Sequence, residues 1–313
     1  MILDYIWVSE DDSLNVKKRI MDVFDESSLS FYNGFLCKDL HDFVYLMPKK
    51  IAKYSDSHYI VLCDTWLYDD KYELHPHISN KRHFCQKEFK LHAKQNEFII
   101  QQEFYLIHND NTLYGSSKTF IEQNNYCKIG NGNILGRNIV NETLDECLLL
   151  GLNVLEVTGS NGHSQWCFQI KGYDVDIADQ IILFRYVLSK VCESYHAYPS
   201  FEPMPKNGMN PSGMITEFST ALMRKDYKYV QETIKFMSQN HEKNLINYGS
   251  NEKRLSLFHK ITFTFGINKS DVSVNIPHFT YENKKGNVVD YRPASDCNPY
   301  VLIQTIIETI DPK

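Results

Sequence analysis

Gln101 and Glu103 are the first side chains with a clear chemical use, because they lie two residues apart in a strand-like segment. Residues 97–107 follow the period-two pattern of a β-strand. Side chains two residues apart point to the same side of a strand, so we expect Gln101 and Glu103 to share one face. A carboxylate there is the kind of ligand that Mg²⁺ and Mn²⁺ prefer. A single glutamate on a strand face, however, is more often solvated or paired with another side chain.

Two other groups of residues suggest a binding site but give weaker signals. His75 and His77 lie two residues apart and would suit a metal, but no third ligand is close in the sequence. Gly130, Gly132 and Gly136 precede a predicted helix, as in a phosphate-binding loop. No Gly-Lys-Ser/Thr follows them, which excludes a P-loop.

The strand that must position a site beside Glu103 is predicted at residues 165–170. Trp166, Phe168 and Ile170 alternate there with Cys167 and Gln169, so the strand has one apolar and one polar face. The bulkier apolar side would pack on the core, and Cys167 would lie on the polar side. A buried and inert thiol is the simplest interpretation of Cys167.

The surrounding pattern mixes strands and helices, which predicts an α+β protein. Residues 1–75 contain short strand-like runs, and 75–77 is predicted to be a linker because proline interrupts both periodicities. Apolar spacing predicts an amphipathic helix over 177–191. A second helix is predicted over 227–248, closed by Gly249.

Composition narrows the class of protein. The chain has 313 residues, 42% of them hydrophobic, which is enough for a substantial core and two domains. Its net charge of −6 argues against nucleic acid as the main partner. It contains no apolar run approaching the ~20 residues of a membrane helix. The N-terminus does not resemble a signal peptide, and the 8 scattered cysteines suggest reduced thiols, so we expect a cytoplasmic protein.

Several motifs resemble the glutamine synthetase family in order and spacing. They are Gln-Trp-Cys-Phe-Gln-Ile at 165–170, Phe-Glu-Pro-Met-Pro at 201–205, Asn-Glu-Lys-Arg-Leu at 251–255 and the Lys-Gly…Tyr-Arg-Pro segment at 285–293. The resemblance implies that family's fold. It comprises an N-terminal β-grasp domain at 1–75 and a catalytic-type domain at 79–313, in which helices flank a curved antiparallel sheet that forms a half-barrel funnel.

The same resemblance implies that most of the family's metal ligands are missing. Glutamine synthetases form γ-glutamyl phosphate from ATP and glutamate, and divalent cations on acidic side chains support that transfer. Among the positions that match the family's metal ligands, only Glu103 is still an acidic residue. The residues that replace the other ligands are Gln101, Ser160, Cys167, Ile215 and Val289. Asn33 stands where the family has an aspartate that helps to deprotonate ammonium, and Lys260 replaces a glutamate that closes the site.

A few binding positions remain. The resemblance implies substrate contacts for Asn210, Arg254 and Arg292, and nucleotide contacts for Phe218 and Ser219. We therefore predict a catalytically inactive protein with a scaffold, regulatory or ligand-binding role in nitrogen metabolism, without a cofactor. We expect it to form rings or stacked rings, alone or with an active glutamine synthetase, and to bind neither nucleic acid nor membranes.

Two alternatives remain open. An active ATP-dependent ligase using Mg²⁺ or Mn²⁺ would need substitute ligands, for which Glu103, Glu217 and Asp290 are the nearest acids. A metal-free sensor would instead use Arg254 and Arg292 to hold a carboxylate.

Overall fold

The computed structural model describes residues 1–22, 32–36, 43–91, 95–115 and 124–311, without the side chains of 32–36, 257 and 258. The chain divides into two compact units. The first comprises Met1–Lys87 and Leu148–Gly151, and the second comprises Glu88–Cys147 and Leu152–Lys313. Strands and helices occur in both sheet-forming parts of the chain, which confirms the α+β prediction.

The first unit contains a mixed sheet in the order β2-β1-β5-β4-β3, with β6 also paired to β5. The strands are β1 (Ile2–Val8), β2 (Leu14–Ile20), β3 (Tyr32–Leu36), β4 (Phe43–Ser55), β5 (His58–Tyr68) and β6 (Leu74–Pro76). Leu3, Tyr5, Trp7, Leu46 and Val61 form its buried cluster. β1 and β5 run parallel, and the other pairs are antiparallel.

The predicted linker at 75–77 is wrong in part, because His75 and Pro76 belong to β6. Pro76 lies opposite Trp66 of β5. Proline has no N–H to donate, but it is tolerated in a short strand of this kind at the edge of a sheet. The two histidines then separate: His75 contacts Asp69, while His77 is buried beside Ser79.

The second unit is built on a sheet in the order β12-β13-β14-β11-β7-β9-β8, with β10 also paired to β7. Its strands are β7 (Glu97–His108), β8 (Val154–Gly159), β9 (Gln165–Tyr173), β10 (Ala197–Ser200), β11 (Met214–Ser219), β12 (Phe265–Ile267), β13 (Val274–Ile276) and β14 (Val288–Asp290). The strands predicted at 97–107 and 165–170 are confirmed as β7 and β9. The sheet is antiparallel except for β12 and β13, which run parallel.

The helices are α1 (Lys81–Leu91), α2 (Arg137–Leu149), α3 (Val175–Ser194), α4 (Tyr227–Gln239), α5 (His241–Ile246), α6 (Leu257–Ile261), α7 (His278–Asn283) and α8 (Pro299–Ile310). The helix predicted at 177–191 is α3. The prediction of a single helix over 227–248 is wrong, because the helix is interrupted at Asn240. The Asn240 side chain donates to the Phe236 carbonyl at 3.0 Å and so ends α4.

One face of the second sheet is covered by α3. Phe104 of β7 and Phe168 of β9 both pack on Phe184 of α3, with ring centroids 6.0 and 4.6 Å apart. Residues of the alternate parity, including Gln101 and Glu103, therefore lie on the other face. We call this second surface the Glu103 face. Within the described residues, no helix has the length and apolarity needed to cross a bilayer.

Candidate functional site

The strand register brings the predicted ligand positions together on the Glu103 face. Glu103 lies opposite Cys167, and Gln101 lies opposite Ile215. Val289 lies opposite Glu217, which has the same parity as Ile215 in β11. The positions that share this face are Gln101, Glu103, Cys167, Ile215 and Val289. Ser160 joins them from the turn after β8 through a hydrogen bond to Glu103.

Both oxygens of the Glu103 carboxylate accept hydrogen bonds from the protein itself. The Ser160 hydroxyl donates to Oε1 at 2.7 Å, and the backbone N–H of Gly213 donates to Oε2 at 2.8 Å. Burial lowers the pKa of the Arg254 guanidinium, whereas the charges of Glu103 and Asp290 raise it. The only acid retained among the predicted ligands is therefore bound on both oxygens and lies near a cation.

Arg254 is fixed by backbone carbonyls. Its Nε donates to the carbonyl of Pro293 at 3.0 Å, and its Nη2 donates to that of Tyr291 at 2.8 Å. A Cβ placed on Gly213 would lie 2.4 Å from Arg254 Nη2. Glycine at 213 therefore allows the guanidinium to pack against this backbone.

Gly213→Ala is expected to destabilise the protein by about 1–3 kcal/mol, because overpacking would displace Arg254 from its carbonyl partners. Urea denaturation measures the change. Gly132→Ala is the matched control, since a Cβ there has no neighbour within 4 Å. Equal stability of the two variants would contradict the packing of Arg254 against Gly213.

The other positions on the Glu103 face do not favour a hard cation. Cys167 is 8% exposed, and burial, followed by the charges of Glu103 and Glu156, raises its pKa well above 9.0. The thiol therefore stays protonated at neutral pH and is a poor metal ligand. Ile215 and Val289 offer only hydrocarbon.

Asp290 is not a substitute ligand in this fold. It is fully buried, and its carboxylate accepts two hydrogen bonds from the Arg292 side chain, from Nε at 2.9 Å and from Nη2 at 2.8 Å. The Tyr248 hydroxyl donates to the same carboxylate at 2.9 Å. Arg292 also donates from Nη1 to Nδ1 of His241 at 3.0 Å. The guanidinium predicted to hold a substrate carboxylate is thus buried against a carboxylate of the chain.

Glu217, another of the acids named as a substitute ligand, also lies on the Glu103 face, and Asn287 already holds it. The Asn287 side-chain amide donates to Glu217 Oε1. Burial raises the pKa of Glu217, and the hydrogen bond from Asn287 lowers it by a smaller amount. Glu217 therefore binds its proton more tightly in the folded state than in the unfolded state.

Glu217→Gln is expected to stabilise the protein at neutral pH and to lose this advantage in acid. Because the folded-state pKa lies above the ordinary value of 4.5, wild-type stability falls as the pH rises from that value through the folded-state pKa. Glutamine has no proton to lose and keeps an oxygen for Asn287. Urea denaturation at about pH 4 and about pH 8 checks this. A stability difference that does not change with pH would contradict it.

The remaining predicted residues are dispersed. Asn210 donates from Nδ2 to Gln165 Oε1 at 3.0 Å. Phe218 is 2% exposed and packs on Phe98, on the face opposite Glu103. The other two have partners of their own: Ser219 accepts from Arg224 at 2.9 Å, and Lys260 donates to the Glu252 carbonyl at 2.8 Å. Asn33 lies in β3 opposite Tyr45, and its side chain is outside the described part of the chain.

Divalent metal does not fit the Glu103 face as the chain builds it. Mg²⁺ and Mn²⁺ need several oxygen ligands, usually carboxylates. Here the Glu103 carboxylate is already bound by two donors and Glu217 is held by Asn287, while the other predicted ligand positions offer an amide, a hydroxyl, a neutral thiol and hydrocarbon. Among the described residues, the one group of three or more side chains close enough to share a metal is Asp69, Glu73 and His75, in the first unit.

Sequence reasoning missed the Gly213 N–H that donates to Glu103 and the positive charge of Arg254 near it. Both residues are far from Glu103 in the chain, and no local pattern signals their approach. The same holds for His241 beside Arg292. Asp290 and Arg292 were each singled out, as a possible metal ligand and as a substrate contact, but their pairing with each other was not predicted.

The chain is an α+β protein. On the Glu103 face of its larger sheet, the one acid among the predicted ligands is already hydrogen-bonded within the protein. No protein-family model matches the chain. It is similar to glutamine synthetase of Canis lupus familiaris, with 28% identity over 97% of this chain and 88% of the relative. Glutamine synthetases of Kluyveromyces lactis and Agaricus bisporus are each 29% identical, over 99% and 98% of this chain and 88% and 92% of their own.

The chain belongs to the glutamine synthetase family.

Proposed function

We propose that this protein is a catalytically inactive member of the glutamine synthetase family with a scaffold, regulatory or ligand-binding role. The observation that carries the proposal is the state of Glu103, whose two oxygens accept from Ser160 and Gly213. Phosphoryl transfer depends on positioning and on neutralisation of charge by metals and arginines. The Glu103 carboxylate is already bound by the chain, and the five positions that replace the family's other ligands offer no carboxylate, so this set of residues cannot hold the metals that supply such neutralisation.

The size of the loss supports inactivity rather than slower turnover. Removing one transition-state donor commonly costs about 10²–10³ in rate. This chain departs from the family at five ligand positions on and beside the Glu103 face, which are Gln101, Ser160, Cys167, Ile215 and Val289. Even with strong non-additivity, losses of this kind leave no useful ligase activity.

Purified protein is expected to show no biosynthetic or γ-glutamyl transferase activity above that of Glu103→Ala, with either Mg²⁺ or Mn²⁺ present. Calorimetry is expected to detect no metal-dependent ATP binding. An active glutamine synthetase assayed in parallel controls for the reagents. Metal-dependent turnover in the wild type that disappears in Glu103→Ala would overturn the proposal in favour of an ATP-dependent ligase.

Three further properties are part of this proposal. The first unit would form a β-grasp domain at 1–75, and the catalytic-type domain at 79–313 would carry the half-barrel funnel. The protein would assemble in rings, alone or with an active glutamine synthetase. It would act in the cytoplasm. Sedimentation of the protein with and without an active relative tests the assembly.

A further inference from the structure

A cavity of about 240 Å³ lies between α4, the C-terminal turn of α8 and the turn at 220–222. Its apolar walls come from Ala221, Leu222, Tyr229, Phe236, Ile307 and Ile310. Ile307 is 2% exposed and Leu222 is 44% exposed, so the cavity runs from the core to the surface. The positions that replace the family's metal ligands do not line it.

The size of the cavity suits one ring with a short side chain. An engineered apolar cavity of about 150 Å³ holds benzene, and ligand pockets are mostly apolar with a few polar groups that orient the ligand. This cavity is somewhat larger and has two aromatic rings, Tyr229 and Phe236, in its walls. A single aromatic ring would replace water against these apolar surfaces.

The charge of the lining is negative. Glu232 and Asp311 both line the cavity, and none of its lining residues is Lys, Arg or His. The C-terminal end of α8, at Ile310, also lies in the wall. Carbonyl groups at a helix C-terminus carry partial negative charge and favour a cation nearby. The carboxylates and the C-terminal end of α8 therefore both favour a positively charged ligand.

We propose that this cavity binds a small organic cation, a single ring that carries a short aminoalkyl chain. The ring fills the space between Phe236 and Ile307, and the ammonium group reaches the Glu232 carboxylate. The ammonium of Lys228 already lies 4.7 Å from the centroid of the Tyr229 ring. The ligand's ammonium is therefore held by the Glu232 carboxylate rather than by that ring.

Titration with 2-phenylethylammonium chloride, followed by calorimetry and amide NMR, tests this site. We expect saturable binding with a Kd on the order of 1 mM or tighter, because a ligand of this size offers few atoms. Amide shifts are expected at 220–222, in α4 and at the end of α8. The anion 3-phenylpropionate, of matched size, is expected to bind at least tenfold more weakly.

Two variants test separately the space that holds the ring and the carboxylate that holds the ammonium group. Glu232→Gln is expected to weaken binding of the cation about fivefold to tenfold, while Glu242→Gln, an exposed acid outside the cavity, leaves it unchanged. Ala221→Phe is expected to abolish binding by filling the space. Equal binding of the anion, no saturation, or an unchanged Kd in Glu232→Gln would overturn the proposal. None of these readouts depends on ligase activity, so the outcome is separate from that of the proposed function.

Discussion

Arg292→Met is expected to lower the free energy of unfolding by about 3–5 kcal/mol, the largest single effect among the variants considered. Arg292 and Asp290 are both fully buried, and their side chains share two hydrogen bonds. Removing one partner of a buried ion pair leaves the other charge without compensation. The Asp290 carboxylate would keep the Tyr248 hydroxyl as a side-chain donor. Guanidinium chloride denaturation monitored by fluorescence measures the loss.

Lys253→Met is the control for this experiment. Lys253 forms an ion pair with Glu202, but the two side chains are 46% and 44% exposed to solvent. Exposed ion pairs contribute little, because water solvates both charges before and after the substitution. We therefore expect little change in stability. If Arg292→Met were no more destabilising than Lys253→Met, the buried pair would not have the role assigned to it.

Restoring the family's acids is expected to create a protein that depends on metal. Gln101→Glu, Ser160→Glu and Cys167→Glu, made together, place three new carboxylates beside Glu103 and remove the Ser160 hydroxyl that donates to it. Uncompensated charge in a mostly buried cluster is expected to cost about 3–5 kcal/mol in EDTA. Saturation with Mn²⁺ at about 100 times its Kd would restore about 2.7 kcal/mol. Thermal melts with and without Mn²⁺ measure both effects.

The uncharged counterpart of this variant keeps the volume without the charge. Ser160→Gln with Cys167→Gln, on the wild-type Gln101, is expected to melt at one temperature in EDTA and in Mn²⁺. The wild type is expected to behave in the same way. A rise in the melting temperature of the wild type with Mn²⁺ as large as that of the triple variant would contradict the absence of a metal site.

Local pattern was sufficient to predict the strands that carry the candidate site. Period-two alternation placed Gln101 and Glu103 on one face of β7 and Cys167 on the matching face of β9, and the structure pairs Glu103 with Cys167. The charge balance of that face could not be predicted in the same way. It depends on Gly213 and Arg254, which are distant from Glu103 in the sequence and lie near it only in the folded chain.

Two errors have a common physical cause. Pro76 interrupts any periodicity, yet β6 forms because an edge strand does not need every donor. The apolar spacing of 227–248 continues through Asn240, yet the side chain of that residue donates to the Phe236 carbonyl alongside its own backbone N–H, and α4 ends there. In both cases a single side chain, the ring of Pro76 or the amide of Asn240, made the local structure differ from the prediction.

The hydrogen bonds to both oxygens of Glu103 have a practical consequence for anyone who handles this protein. Because Ser160 and Gly213 already donate to this carboxylate, the folded chain needs no divalent ion for storage, and chelating buffers should leave its structure unchanged. Glutamine formation that vanishes on adding EDTA, and that is equally strong in a preparation of Glu103→Ala, would then point to a co-purified host enzyme, and mass spectrometry of the sample should find that contaminant.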